Sequence, residues 1–155
     1  MPTLSIARKD VAEQPVLFVR MRPARHEVAN AIGEALGKVT QHIMKSGLAF
    51  AGQPYSRYLS TSLGLLDMEI GMPVASAGSG EGDVKAGVLP AGPTAMGVHG
   101  GPYDKLGETY AAIERWIEAS GGAPGGPPWE TYVTDPADYP DPGDWRTEVY
   151  WPLAR

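Results

Sequence analysis

Glu148 stands in the segment TEVYWPL (Thr147–Leu153), a carboxylate set among a tyrosine, a tryptophan and aliphatic residues. A carboxylate on an apolar, aromatic-lined surface is costly unless paired, so it either takes up a proton or awaits a partner. An aromatic cation meets both needs, because it neutralises the charge and ring faces attract cations. The same carboxylate can instead orient or deprotonate a water while the rings hold an electrophile beside it. The competing structural role is an ion pair with Arg146 or Arg57. Residue types alone leave cation binding and water activation both open.

Other chemistry is weakly supported. His26, His42 and His99 lack metal-ligand spacing, and Asp135, Asp138, Asp141 and Asp144 lack the calcium-loop pattern and suit proline turns. GSGEG at 78–82 has no lysine to hold phosphate, and Glu81 and Asp83 would repel it. The absence of cysteine excludes a disulfide scaffold, a thiol nucleophile and the common structural zinc sites. A net charge of −5 argues against a nucleic-acid backbone as direct partner. No metal and no cofactor is therefore expected. The first residues carry no apolar run of a signal peptide, and no window approaches a membrane span. A cytoplasmic protein without membrane contact is the expectation.

The chain has 155 residues, which argues for one domain or two small halves. Its 20 glycines and 15 prolines are about twice the usual share and concentrate in loops. Strands are predicted over Val16–Met21, Gln53–Ser60, Leu65–Val74, Val84–Leu89, Thr94–His99, Trp129–Thr134 and Trp145–Leu153. Helices are predicted over Ala24–Ser46 and Tyr103–Ala119, from apolar residues recurring at three- and four-residue steps. Gly47 is placed to cap the first helix.

An internal repeat organises these elements. GQPYSRY (Gly52–Tyr58) matches GPPWETY (Gly126–Tyr132) at an offset of 74 residues, and the same offset carries the stripe Ile32, Leu36, Val39 and Ile43 onto Leu106, Tyr110, Ile113 and Ile117. It also carries Gly47 onto Gly121. MEIGMPV (Met68–Val74) matches TEVYWPL, pairing Glu69 with Glu148 at an offset of 79. The reading is a single domain over 1–155, with one strand–helix–strand–strand repeat at about 15–75 and a second at about 84–153. Neither repeat could bury its apolar face alone.

Strand alternation then sorts the side chains. Met68, Ile70 and Met72 form one oily face and Thr147, Val149, Trp151 and Leu153 another. Both should pack under the helices, which turns Glu69 and Glu148 away from them. Tyr58 and Tyr132 fall at equivalent positions and are assigned to the same side as the glutamates, because Ser56 and Ser60 flank Tyr58 and suggest a wet surface. Met96 and Val98 are assigned to the core, and Ala95, Gly97 and His99 to the site, where small residues would leave room for a ligand. Trp129 and Trp151 take the helix-packing parity, with a tryptophan at the rim a suitable wall. Trp116 lies at the edge of the helix stripe and Tyr110 on its core face. The candidate set is Glu148 as the chemical residue, with Tyr58, Tyr110, Trp116, Trp129, Tyr132, Tyr150 and His99 as ligand-lining residues. Glu69 is a weaker, pseudo-symmetric second carboxylate.

These residues carry a resemblance. The paired strand–helix–strand–strand units, the two P-x-x-x-Y strands (Pro54–Tyr58, Pro128–Tyr132), the loop DPADYPDPGDW and the terminal TEVYWPL resemble the GyrI-like small-molecule-binding family, from about Pro15 to Leu153. The resemblance implies a drug-sensing module like those of MerR- and AraC-type regulators, a gyrase-inhibitory protein or a xenobiotic binder. It also implies, for a subset, hydrolysis of cyclopropane-bearing DNA alkylators in an aromatic cage. In the drug-sensing members a buried glutamate on the late strand meets cationic aromatic ligands, and the matching position is Glu148. No helix-turn-helix fits before Val16, so a stand-alone binder is expected in place of a regulator. The expected fold is α+β, two pseudo-repeated units forming an antiparallel sheet system with two long helices on one side and a ligand cleft. The expected function is binding of aromatic xenobiotics, cations included. The alternatives are a cyclopropanoid cyclopropyl hydrolase using the same cage, and a protein that modulates DNA gyrase as its partner.

Overall fold

The computed structural model describes residues 5–60 and 66–154. Along the chain run β1 (Ser5–Val11), β2 (Gln14–Met21), α1 (Val28–Ser46), β3 (Tyr55–Ser60), β4 (Asp67–Pro73), β5 (Val84–Leu89), β6 (Gly92–Gly100), α2 (Leu106–Ala119), β7 (Trp129–Tyr132) and β8 (Arg146–Pro152). Leu65, the expected first residue of the third strand, lies outside the described residues. The fold is α+β, and every strand pairing described is antiparallel.

The chain divides into two compact units. The N-terminal unit, Glu13–Ala91, orders its strands β5-β2-β4-β3. Helix α1 packs on one face of them, chiefly on β2 and β4. Its stripe of Ala35, Val39 and Ile43 is fully buried against Leu17, Val19, Met68 and Ile70. Gly47 ends α1 in the left-handed region (φ 75°), a conformation that costs glycine no Cβ clash, and its N–H donates to the Met44 carbonyl.

The C-terminal unit joins the segment ending at Ala12 to the chain from Gly92 onward, and orders its strands β1-β6-β8-β7. Helix α2 packs on β6 and β8, with Ile113 and Ile117 fully buried against Ala95 and Val149. Each unit thus has a strand–helix–strand–strand core plus one further strand at the same edge: β5 beside β2, β1 beside β6.

Two elements differ from the sequence reading. Strand β1 was not expected, because SIARKDV has no apolar alternation; it is an edge strand, exposed at five of seven residues, and needs none. Strand β5 was assigned to the start of the second repeat, but it pairs with β2 in the N-terminal unit, where Val84 joins the core under α1.

Candidate functional site

The ladder partners of Glu148 define its surroundings. Residues directly opposite across antiparallel strands share a face. On the C-terminal unit the first row is Trp129 (β7), Tyr150 (β8), Met96 (β6) and Ala7 (β1). The next row is Thr131, Glu148, Val98 and Ser5. Val149, between them in sequence, points the other way into the α2 core. Glu148 and Tyr150 therefore occupy the face turned away from α2.

Trp129 and Tyr150 stack nearly parallel, 12° between planes with centroids 5.4 Å apart. The Tyr150 hydroxyl donates to Glu148 Oε1 at 2.8 Å. Burial, reinforced by that bond, pushes the Tyr150 phenol well above its ordinary pKa, so the ring keeps its proton and remains the donor. The result is a carboxylate beside a stacked pair of rings, with one oxygen engaged by a neutral donor.

The equivalent place in the N-terminal unit is built differently. There the first row is Tyr55 (β3), Gly71 (β4), Phe18 (β2) and Lys85 (β5), and the next is Arg57, Glu69 and Arg20. Glu69 has an arginine opposite it on both neighbouring strands, whereas Glu148 has Thr131 and Val98. Arg57 Nη1 lies 3.8 Å from Glu69, and Arg20 grips Asp67 through Nε and Nη2 at 3.0 and 2.8 Å. Arg57 and Arg146, the arginines available to pair with Glu148, have other contacts. Arg57 faces Glu69, and Arg146 donates to the carbonyls of Gly143 and Trp145.

The structure brings Glu148, Tyr150 and Trp129 together and sends the other expected lining residues elsewhere. Trp129, assigned to the core by parity, lies directly opposite Tyr150 on the glutamate's face. Tyr132, assigned to that face, lies opposite Thr147 on the α2 side and meets Tyr103 edge-on at 5.6 Å. Tyr103 in turn lies 4.8 Å from Trp145. Tyr58 is likewise on the α1 side, opposite Met68 and against the core, and Ser56 beside it is fully buried. The error is one of phase: Ser56 is interior and marks no wet surface, and Ser60 is exposed only as the last residue of the strand.

Strand β6 is inverted in the same way. Met96 and Val98 share the face of Tyr150 and Glu148, while Ala95, Gly97 and His99 face α2. Gly97 makes room for a helix and not for a ligand, since a Cβ there would stand 2.9 Å from Ile113 Cδ1. His99 is buried, with Nδ1 2.7 Å from Thr109 Oγ1 and Nε2 2.8 Å from the Pro102 carbonyl. Tyr110 donates to Glu130 at 2.9 Å and meets Trp151 edge-on, and Trp116 packs on the same core. Glu130, a buried carboxylate, went unnoticed in the sequence, as did Tyr55, although the 74-residue offset carries Tyr55 onto Trp129. Among the described residues no cluster of His, Cys, Asp and Glu could hold a metal ion. No described helix is long and apolar enough to cross a membrane.

The family follows from the comparison with known proteins. The model of the GyrI-like small molecule binding domain matches residues 6–154. The chain belongs to this family. No curated protein matches it. Among solved structures it is similar to the C-terminal domain of EcmrR, with 25% identity, 98% of each chain covered and a TM-score of 0.86. The EcmrR chain in a complex with DNA is longer, and 98% of this chain covers 58% of it (24% identity, TM-score 0.85). A hydrolase from Listeria innocua shares the fold at 15% identity and a TM-score of 0.65, covering 96% of this chain and 91% of its own. SAV2435 bound to tetraphenylphosphonium shares it at 11% identity and 0.57, covering 97% and 94%.

Proposed function

We propose that this GyrI-like domain binds aromatic small molecules, preferring cations, on the C-terminal unit's face formed by Glu148, Tyr150 and Trp129. One observation carries the reading: Glu148 has only neutral neighbours across both adjoining strands, while its counterpart Glu69 lies between two arginines. A carboxylate held beside rings without a protein cation is arranged for a cation that arrives from outside. Tyr150 fixes the orientation of the carboxylate, and the stacked rings supply contact surface. Tetraphenylphosphonium, the aromatic cation in the SAV2435 structure, is the chemical type that such a face suits.

A second reading rests on the Glu148–Tyr150 hydrogen bond. A carboxylate held in place through one oxygen by a phenol that stays protonated can take a proton from water through the other, and the hydroxide so formed attacks the electrophile. On that reading the domain opens cyclopropane-bearing alkylators; a hydrolase from Listeria innocua, of no stated substrate, shares the fold. Modulation of gyrase is a third role implied by the family resemblance, and no residue described above speaks for it.

The decisive experiment titrates tryptophan emission with tetraphenylphosphonium and with tetraphenylborate, which has the same shape and the opposite charge. Tighter binding of the cation is expected, and equal affinity for both ions removes the role of Glu148. Mass spectrometry of a cyclopropyl dienone after incubation separates binding from hydrolysis, because a binder returns it unchanged. Inhibition of gyrase supercoiling by the purified protein alone would favour the third role.

A further inference from the structure

Helix α1 has an outer surface that the N-terminal unit leaves open. Among the described residues a shallow groove runs along it, lined by Leu36, Gly37, Thr40, Gln41 and Met44. Met44 is 69% exposed, the most of any large hydrophobic residue described. Gly33 and Gly37 lie on the same surface, with nothing within 4 Å of where a Cβ would stand. Glycine inside a helix weakens it relative to alanine, and no described neighbour requires either one. A bare methionine above two glycines without an internal purpose suits a helix that approaches closely from outside.

Charge decides which helix that is. The turn of an α-helix sets Glu34, Lys38 and Gln41 along one flank of the groove, and Leu36 and Thr40 along the other. Glu34 is exposed, and the lysine one turn on, Lys38, reaches away to Asp83 at 3.1 Å. Two copies of α1 packed antiparallel about Gly37 bring Glu34 of each between Lys38 and Gln41 of the other, and set Met44 between Asn30 and Gly33. Opposite charges then meet twice. A parallel pair would lay the same charged flank over Leu36 and Thr40, and burying a charge against an apolar side chain is unfavourable. The surface is complementary to itself, as a two-fold interface requires.

We propose that the outer face of α1 is a docking surface for a second copy of this chain, the two helices antiparallel with Gly37 at the crossing. One helix from each copy covers less than the roughly 1,000 Å² of a stable interface, so the dimer is transient and concentration-dependent. Helix α1 covers its strands on the face opposite Glu69, and the proposal does not rest on the ligand reading.

Sedimentation velocity of the full chain, from low micromolar concentration to about 0.5 mM, tests it. The sedimentation coefficient should rise from that of a monomer towards that of a dimer across this range. Met44→Glu should weaken association at least about tenfold, because it sets a charge in the apolar contact. Gly37→Gln should do the same and yet melt higher than the wild type in dilute solution, where both are monomers, because a good helix former replaces glycine in open space. A residue that served only its own fold would not part stability from association in this way. Glu34→Lys and Lys38→Glu should each weaken the dimer about fivefold, and the double variant should recover to near the wild type, since exchanging the charges restores both pairs. A protein that stays monomeric at about 0.5 mM overturns the proposal. So does a dimer that Met44→Glu and Gly37→Gln leave intact, since it forms through another surface. A Gly37→Gln protein that melts lower when dilute would mean that the chain itself fills the groove. Additive charge variants would mean that α1 does not meet its copy antiparallel. Either result also overturns it.

Discussion

At the scale of single residues, two glutamates at corresponding strand positions are given opposite tasks by what stands beside them. Glu148→Gln keeps the volume and one hydrogen bond to Tyr150 while removing the charge. Its affinity for tetraphenylphosphonium should fall by about 1.5–3 kcal/mol, as for a lost charge-assisted hydrogen bond. The melting temperature should hold or rise, since no cation among the described residues loses a partner. A protein that melts lower and binds normally would make Glu148 structural. Glu69 gives a pH signature instead. Burial raises its pKa more than Arg57 and Arg20 lower it, so ionisation costs the folded state more than the unfolded chain. Its contribution to stability is therefore full below the ordinary carboxylate pKa and declines as pH rises through the elevated folded value. Glu69→Gln should melt with the wild type near pH 4 and above it near pH 7, by scanning calorimetry. A mutant that melts lower at pH 7 would mean that the ion pair outweighs the desolvation.

At the scale of elements, Gly97 shows how α2 is seated. A Cβ at this position would press 2.9 Å from Ile113 Cδ1 and 3.2 Å from its Cγ1. Gly97→Ala should cost about 1–3 kcal/mol as an overpacked contact. Ile113→Val, which deletes Cδ1, should lose part of that penalty when combined with it, and thermal melts of the single and double variants measure the coupling. Additive effects would show that the strand, not the side chain, yields. The same strand explains what could and could not be read from sequence. Strands β4 and β8 alternate oily and polar residues, and that pattern placed Glu69 and Glu148 on the face away from the helices. Strands β3 and β7 offer SRY and WETY, too short and too mixed to reveal their phase. Buried serine and threonine in β3, β6 and β8 add to this, because interior hydroxyls look like surface in a sequence. Alternation tells which residues share a face, and only the neighbouring strand tells which face it is. Fold class, helix stripes and the position of Glu148 were legible for the first reason. The strand faces taken by Tyr58, Tyr132, His99 and Trp129 were not, for the second.

At the scale of the whole molecule, the two units repeat one plan of elements and differ in a few side chains on the faces away from their helices. Thr131 occupies the place in the C-terminal unit that Arg57 occupies in the other, each directly across from its glutamate. That difference predicts a transplant. Thr131→Arg should place a guanidinium opposite Glu148 and reproduce the N-terminal arrangement in the C-terminal unit. The new cation would occupy the carboxylate and repel an incoming one, so tetraphenylphosphonium affinity should drop at least about tenfold, about 1.4 kcal/mol. Tetraphenylborate, matched in shape, should bind no worse and by charge should bind better. Thr131→Val is the control for side-chain change alone and should keep the cation affinity near that of the wild type. Raising the salt concentration should shrink the difference between the two ions in the wild type, since a half-buried pair is still partly screened. If Thr131→Arg weakens both ions equally, the arginine merely blocks the surface. If it weakens neither, the cation binds elsewhere, and the neutral neighbours of Glu148 have no bearing on what the protein selects.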